Sequence, residues 1–510
     1  MNYKLIGIVA WVAFGCGLSA FADTVAHWRW EEGPANTDVI HTVPAGQFEG
    51  TVPDVSGNGN DLSVWSQGGC CGYQYRSDVP FTTVPLSGAA NNFSVKNTGG
   101  GPGMFTDSAV SMPTGVNLET MTPTAFTVEA MWKPENGGYR TVVGRDAQNV
   151  VTSDGALAAL YLQAQPDNSM AFKFTDMAGN FHDVISPADL IDGFDFGSDP
   201  DGETGNWYSV VGVSDGTTLE LYVNNALVAS EPIVSADPRL AIGTTSGGDW
   251  HAGEWSVGRG LFGGGHTDRA YGFIDEVRIS NSALTPSEFL VPPSLSLEVD
   301  TTSGEITLTN TAAVPVNVDF YRIGSAGGAL SLAGWDSLDE QNYDAVDGPD
   351  SGDVAGDSDG EGWDEAGGSD ASQLVELFVD DNGSLIGAGE TLSLGNAYNT
   401  SIFPGMDGDL EFTFGLIGGL RLIGNVSYGA LTGDYNDDGS VDAADYVVWR
   451  KTGINGQDGY NDWRANFGMM APGSGSSLSN TAVPEPACFV LAVIAVLGGA
   501  RRCRRELATK

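Results

Sequence analysis

Six residues between positions 434 and 445 offer oxygen at the spacing that a divalent cation needs. Asp434, Asn436, Asp438, Ser440, Asp442 and Asp445 occupy positions 1, 3, 5, 7, 9 and 12 of one short stretch, and Gly439 stands at position 6, where such a loop must turn sharply. Calcium takes about six to eight oxygens from flexible loops, so these carboxylates, the amide and the Ser440 carbonyl point to one Ca2+ site. A charge-rich turn would share the composition; the ordered spacing is what favours metal. A short helix over 443–451 is expected to follow.

Other chemistry is harder to assemble. Glycoside hydrolysis needs two opposed carboxylates about 5 to 9 Å apart. Glu129 stands alone in the apolar run 126–133, and Asp275 and Glu276 are adjacent, which on a strand sends them to opposite faces. His27, His182, His251 and His266 lack the spacing of a metal signature, and His266, in Gly-Gly-Gly-His-Thr-Asp, reads as part of a polar loop. Adjacent Cys70 and Cys71 leave two states open, a strained vicinal disulfide or two buried thiols. A formal charge of -44 repels anionic polymers and argues against a nucleic-acid partner.

The elements that would position these residues are strands. Trp207 to Asn224 holds two blocks of period-2 patterning around Asp215-Gly216, the signature of a tight hairpin, and 126–133 and 273–280 repeat the pattern. With 71 glycines, 23 prolines and no βαβ spacing, the expected class is all-β, an antiparallel sandwich. Asp54 with Ser56-Gly57-Asn58-Gly59-Asn60-Asp61, then 126–132, 207–224, 254–258 and 273–289, follow the order of motifs in laminin-G-like domains, and the chain resembles that concanavalin-A-like jelly-roll superfamily over 23–291. The resemblance implies a two-sheet jelly roll with a face that binds glycan or protein. It also implies a structural calcium, for which Asp54, Asn58 and Asp275 are the matching oxygen ligands; local turn hydrogen bonds are the alternative use of Asp54 and Asn58.

Around this domain the chain is modular. Lys4, an apolar run and Ala20-Phe21-Ala22 read as a signal peptide over 1–22, with acylation of Cys16 as the lipoprotein alternative. Pro292-Pro293 introduces a second small β domain over 294–430, acidic and without lysine or arginine between Arg322 and Arg421, for which spacer duty or a calcium-responsive surface is expected. Residues 431–468 resemble a partial dockerin-type module. Tyr446-x-x-Trp449 is repeated as Tyr460-x-x-Trp463, but 455–459 lacks the rest of a second loop, so one metal site is expected and docking to a cohesin-like partner is not well supported. After a linker at 471–482, residues 483–505 resemble the PEP-CTERM sorting tail of exported bacterial proteins. Pro484-Glu485-Pro486 precedes an apolar helix of about 20 Å, short against a core of about 30 Å, and then Arg501, Arg502, Arg504 and Arg505.

As a whole the chain is similar to planctomycete exported surface proteins. The expected role is noncatalytic: a protein of the cell surface or extracellular matrix that binds glycan or protein through its jelly roll, held transiently in the membrane by its tail until membrane sorting machinery processes it. A polysaccharide hydrolase and a passive envelope component are the alternatives.

Overall fold

The computed structural model describes residues 24–39, 48–65, 72–99, 103–107, 113–147, 149–151, 155–202, 204–243, 251–301, 303–344, 362–379, 382–403, 408–429, 433, 435, 441–454 and 456–468. The signal peptide, Cys16, Cys70, Cys71, most of the acidic interval, Asp434, Asn436, Asp438, Ser440, the linker and the sorting tail lie outside the described residues. Two compact units are present, Met1–Gly429 and Ala430–Lys510.

The first unit holds a two-sheet sandwich of antiparallel strands. In spatial order the first sheet runs Ala226–Pro232, Thr218–Val223, Tyr208–Ser214, Phe126–Lys133, Phe273–Ser280, Ser94–Asn97 and Tyr73–Arg76, with Thr24–Trp28 also paired to Phe273–Ser280. The second runs Phe181–Ile185, Met170–Thr175, Leu160–Ala164, Arg140–Asp146, Glu254–Val257, Gly103–Thr106, Leu62–Trp65 and Phe48–Val52. Alternation sets the faces: Phe126, Val128, Ala130 and Trp132 enter the shared core with Leu160, Leu162, Phe172, Phe174 and Trp255. Full burial of such side chains stabilises by about 1.5–3 kcal/mol each. The expected hairpin forms as read, with Ser214 opposite Leu219 and Gly216 at φ +88°. Asp215 Oδ1 accepts the N–H groups of Thr217 and Thr218 and fixes the turn.

One strand departs from simple alternation. Between Asp275 and Arg278 a bulge interrupts Phe273–Ser280, and Glu276 adopts φ +45°. Asp275 and Glu276 are both buried, as is the whole strand, which is covered on both faces.

A nine-stranded sheet follows Pro292-Pro293: Trp363–Glu365, Gln373–Phe378, Val316–Ser325, Leu410–Leu416, Arg421–Tyr428, Leu295–Val299, Ile306–Asn310 and Thr391–Ser393, with Ser384–Ile386 on Val316–Ser325. Its core is continuous with the outer face of the first sandwich sheet, since Met131, Trp207 and Phe273 cluster with Phe81, Leu290, Leu297 and Phe412. The chains meet closely at Gly418, where a Cβ would lie 2.8 Å from the Phe81 Cα, and Thr82 N–H and Leu420 N–H bond across to Ile417 O and Pro80 O.

The second unit is a helix pair, Ala443–Thr452 and Gly456–Asn466. Asp442 caps the first through Ala444 N–H, and Gly453 ends it at φ +66°. The repeated aromatics interlock, Tyr446 against Trp463 at 4.9 Å and Trp449 against Tyr460 at 5.2 Å between ring centroids. Each indole N–H reaches the start of the other helix, Trp449 to Gly456 O (2.9 Å) and Trp463 to Asp442 O (2.6 Å).

Candidate functional site

Packing buries the outer face of the first sheet and most of the second sheet's outer face, and among the described strands leaves a partner the edge around Lys173 and Phe181–Ile185. The outer face of the first sheet is committed: Met131, Trp207 and Phe273 pack in the cluster shared with the nine-stranded sheet, Asp78 accepts from Trp207 Nε1 (2.7 Å) and pairs with Lys133, and Glu129 pairs with Arg278 while accepting Leu290 N–H (2.8 Å). Glu129, solitary in the sequence, is thus a buried structural anion. A cleft of about 300 Å³ beside Phe81, Pro85, Val316 and Leu416 is apolar in character and offers little to a hydroxyl-rich ligand.

The outer face of the second sheet is polar and aromatic. Register places Lys173 between Tyr161 and Asp183, and Lys173 Nζ donates to Gln165 Oε1 (3.0 Å) 6.0 Å from the centre of the Tyr139 ring. Tyr139 is 47% exposed, and Asp183 is exposed as well. Burial of its stem holds the Lys173 amine below the usual range, opposed by Asp183, Asp268 and Asp167. At the end of this face Arg140 pairs with Glu135 and lies 5.8 Å from the Tyr271 ring, which stacks on Phe196 at 5.1 Å. Ring faces beside amides and charged tips can hold a ligand that is apolar on one side and hydroxylated on the other.

Further along the sheet lies a closed cluster. Asp146 and Glu254 are register partners on adjacent strands, both buried, and His266 reaches them from the hairpin Gly260–Phe262/Gly265–Thr267 with Nε2 2.7 Å from Asp146 Oδ2. Glu254 Oε2 meets His251 Nδ1 at 3.1 Å, and His251 Nε2 meets Glu119 at 3.1 Å. Burial, with Asp146 alongside, pushes the Glu254 carboxyl up to about 8; the hydrogen bonds to Glu119 and Glu254 push His251 up to about 10. Sequence reasoning took His266 for a loop residue and did not single out Asp146. Glu254 was visible only inside the motif 254–258. No spacing rule could join groups 120 residues apart such as Asp146 and His266.

These two features sit in a stretch with known relatives. Residues 105–289 match the concanavalin A-like lectin/glucanases superfamily. No curated protein matches the chain by sequence. Among solved structures, the binding domain of botulinum neurotoxin DC is similar at 10% identity and a TM-score of 0.29, covering 60% of this chain and 58% of that one. The chain thus spans under two-thirds of that domain's length. Domain 4 of an extracellular arabinanase from Geobacillus stearothermophilus, in complex with arabinotriose, is similar at 14% identity and a TM-score of 0.29, covering 52% of this chain and 96% of its own. A Ruminococcus gnavus sialidase CBM40 bound to sialyllactose gives 12%, 0.26, 35% and 90% respectively.

The ligands expected in the concanavalin A-like domain are placed as follows. Asp54 accepts four hydrogen bonds: His27 N–H and Ser56 N–H on Oδ1, Asn60 N–H and Ser56 O–H on Oδ2. Asn58 donates to Thr24 O and Val25 O and accepts Val116 N–H. The two share Ser56 and staple the loop to the strand Thr24–Trp28. Asp275 accepts from Asn91 Nδ2 (2.8 Å) and from Glu276 N–H, and burial raises its carboxyl well above the usual range. Calcium at Asp54 would have to displace these donors. Glu276 pairs with His27 and Arg29, and His182 with Asp176.

In the second unit, Asp445 is buried and accepts Tyr435 N–H and Asp442 N–H at 2.7 Å each, and Asp442 accepts Ala444 N–H. The closing position of the expected calcium loop is therefore tied back to both its entry and its helix. Among the described residues no helix is long and apolar enough to cross a membrane.

Proposed function

We propose that this chain is an exported, noncatalytic surface protein whose concanavalin A-like domain binds a glycan on the outer face of its second sheet. The observation that carries this reading is the exposed edge of that face, where Tyr139, Lys173, Gln165 and Asp183 gather within residues matched to the concanavalin A-like lectin/glucanases superfamily, while the opposite face is packed away. The noncatalytic part draws support from the carboxylates themselves. Glu129 is consumed by Arg278 and Leu290, and the near pair Asp146 and Glu254 is at most 1% exposed, sealed from a sugar chain.

The flanking modules serve placement in this proposal. The leader exports the chain, the loop 434–445 binds one Ca2+ and orders the helix pair, and the tail 483–505 holds the precursor in the membrane until sorting machinery removes it. A broad glycan array probed with the chain from Asp23 tests the reading, together with product analysis on each hit. Binding without product is expected. Silence across the array would favour a passive envelope component, and product formation lost in a single carboxylate variant would favour the hydrolase.

A further inference from the structure

We infer that Asp146, Glu254 and His266 form a binding site for one divalent transition-metal ion, zinc being the best fit, which fastens the hairpin 260–267 to the second sheet. The ligand atoms of these three residues all lie within 4.8 Å of one another. Bonds of about 2.0–2.2 Å place donors around one zinc ion roughly 3 to 4 Å apart, so a slight contraction suffices.

The arrangement brings two buried acids together, with positive charge from His251 and Arg259 reaching Glu254 from outside the cluster. Asp146 and Glu254 face each other directly across an antiparallel pair, where like charges repel, and both are buried. Glu254 Oε1 is buried and has no hydrogen-bond partner, although the rest of that carboxylate is held. Each acid is also oriented from behind. Ser256 Oγ donates to Asp146 Oδ1 (3.2 Å), which leaves Oδ2 toward His266, and His251 takes Glu254 Oε2 through both its ring and its N–H (3.1 Å each), which leaves Oε1. One oxygen tethered and the other presented is the pattern by which outer groups aim metal ligands.

The donor set selects the ion. One imidazole nitrogen with two carboxylates suits zinc or manganese, whereas calcium prefers oxygen alone. Binding through Nε2 requires that nitrogen to be free of its proton, so bonds from His266 and Asp146 to the ion take the place of the hydrogen bond between them. Glu119, across His251, and Arg259, whose charge acts on Glu254, complete the surroundings. The ion would join a two-residue turn at Gly263 and Gly264, both at positive φ, to the sheet beneath it. This site is distinct from the loop 434–445 and does not depend on glycan binding.

The test uses the mature chain, stripped with a chelator and kept in excess calcium to saturate oxygen-only sites. Zinc titration by calorimetry should find one tight equivalent, weakened at least about 100-fold in Glu254→Gln, beyond what loss of an outer partner alone costs. X-ray absorption of the zinc-loaded wild type, which needs no variant, should show a first shell of nitrogen and oxygen with imidazole scattering. No tight equivalent, undiminished affinity in a folded Glu254→Gln, or sulfur in the first shell from Cys70 and Cys71 would overturn the assignment.

Discussion

Replacing Arg278 with methionine should destabilise the first unit sharply, and the geometry sets the scale. Arg278 and Glu129 are register partners on the outer face of the first sheet, with side chains 4% and 0% exposed. Arg278 Nη2 also donates to Glu288 O (2.6 Å), and the second Glu129 oxygen takes Leu290 N–H. Methionine keeps the apolar stem but strands the carboxylate with one backbone donor. Breaking a buried pair from one side costs about 3–5 kcal/mol. Adding Glu129→Gln removes the stranded charge, so the double variant should regain a substantial part of that loss, a non-additivity that a double-mutant cycle isolates. Urea unfolding followed by tryptophan fluorescence would read it as a lower midpoint at unchanged slope. A cost below about 1 kcal/mol for Arg278→Met, or a double variant no better than the single, would refute the reasoning.

Three further outcomes are expected. Burial pushes Glu376 up to about 8 despite donors from Tyr321 O–H, Leu338 N–H and Asp339 N–H, so its share of stability is whole below its usual 4.5 and lost as pH rises through 8; the unfolding midpoint should decline over that window, and a rise there in wild type would contradict it. Trp463→Ala removes one of the crossed indole bonds and opens the five-ring cluster, so far-UV circular dichroism of the second unit should lose helix, at a cost of about 2 kcal/mol; unchanged helicity would count against the interlock. Calorimetry should find calcium binding lost in Asp434→Ala but kept in Asp458→Ala, because only Asp434 belongs to a complete loop; equal losses would contradict a single principal site.

What could be read from the sequence was local. Asp215-Gly216 between alternating runs gave its hairpin away, and the Tyr-x-x-Trp repeat marked the two segments that the crossed indoles join. Long-range register was invisible. Nothing near Asp146 says that Glu254 lies opposite it, and the hairpin that delivers His266 is only three residues per strand. Residue type alone does not say how an oxygen is used: Asp54 matches a cation ligand by type, and both its oxygens accept N–H and O–H groups here. The bulge at Glu276 shows the limit of period-2 reasoning, because one extra residue breaks the alternation that would separate it from Asp275. The packing of the nine-stranded sheet over Trp207 and Phe273 was likewise out of reach, yet it decides which sandwich face keeps an exposed edge.

Binding without turnover on the second sheet is tested most directly by measuring affinity for the strongest array ligand in wild type, Tyr139→Ala and Lys173→Ala, with product analysis alongside. Both side chains stand at the exposed edge of that sheet's outer face, Lys173 over the Tyr139 ring. Each variant should weaken binding at least about tenfold, or roughly 1.4 kcal/mol, with no product from any of the three proteins. Undiminished affinity in both folded variants, or cleavage of the ligand by wild type, would contradict the claim.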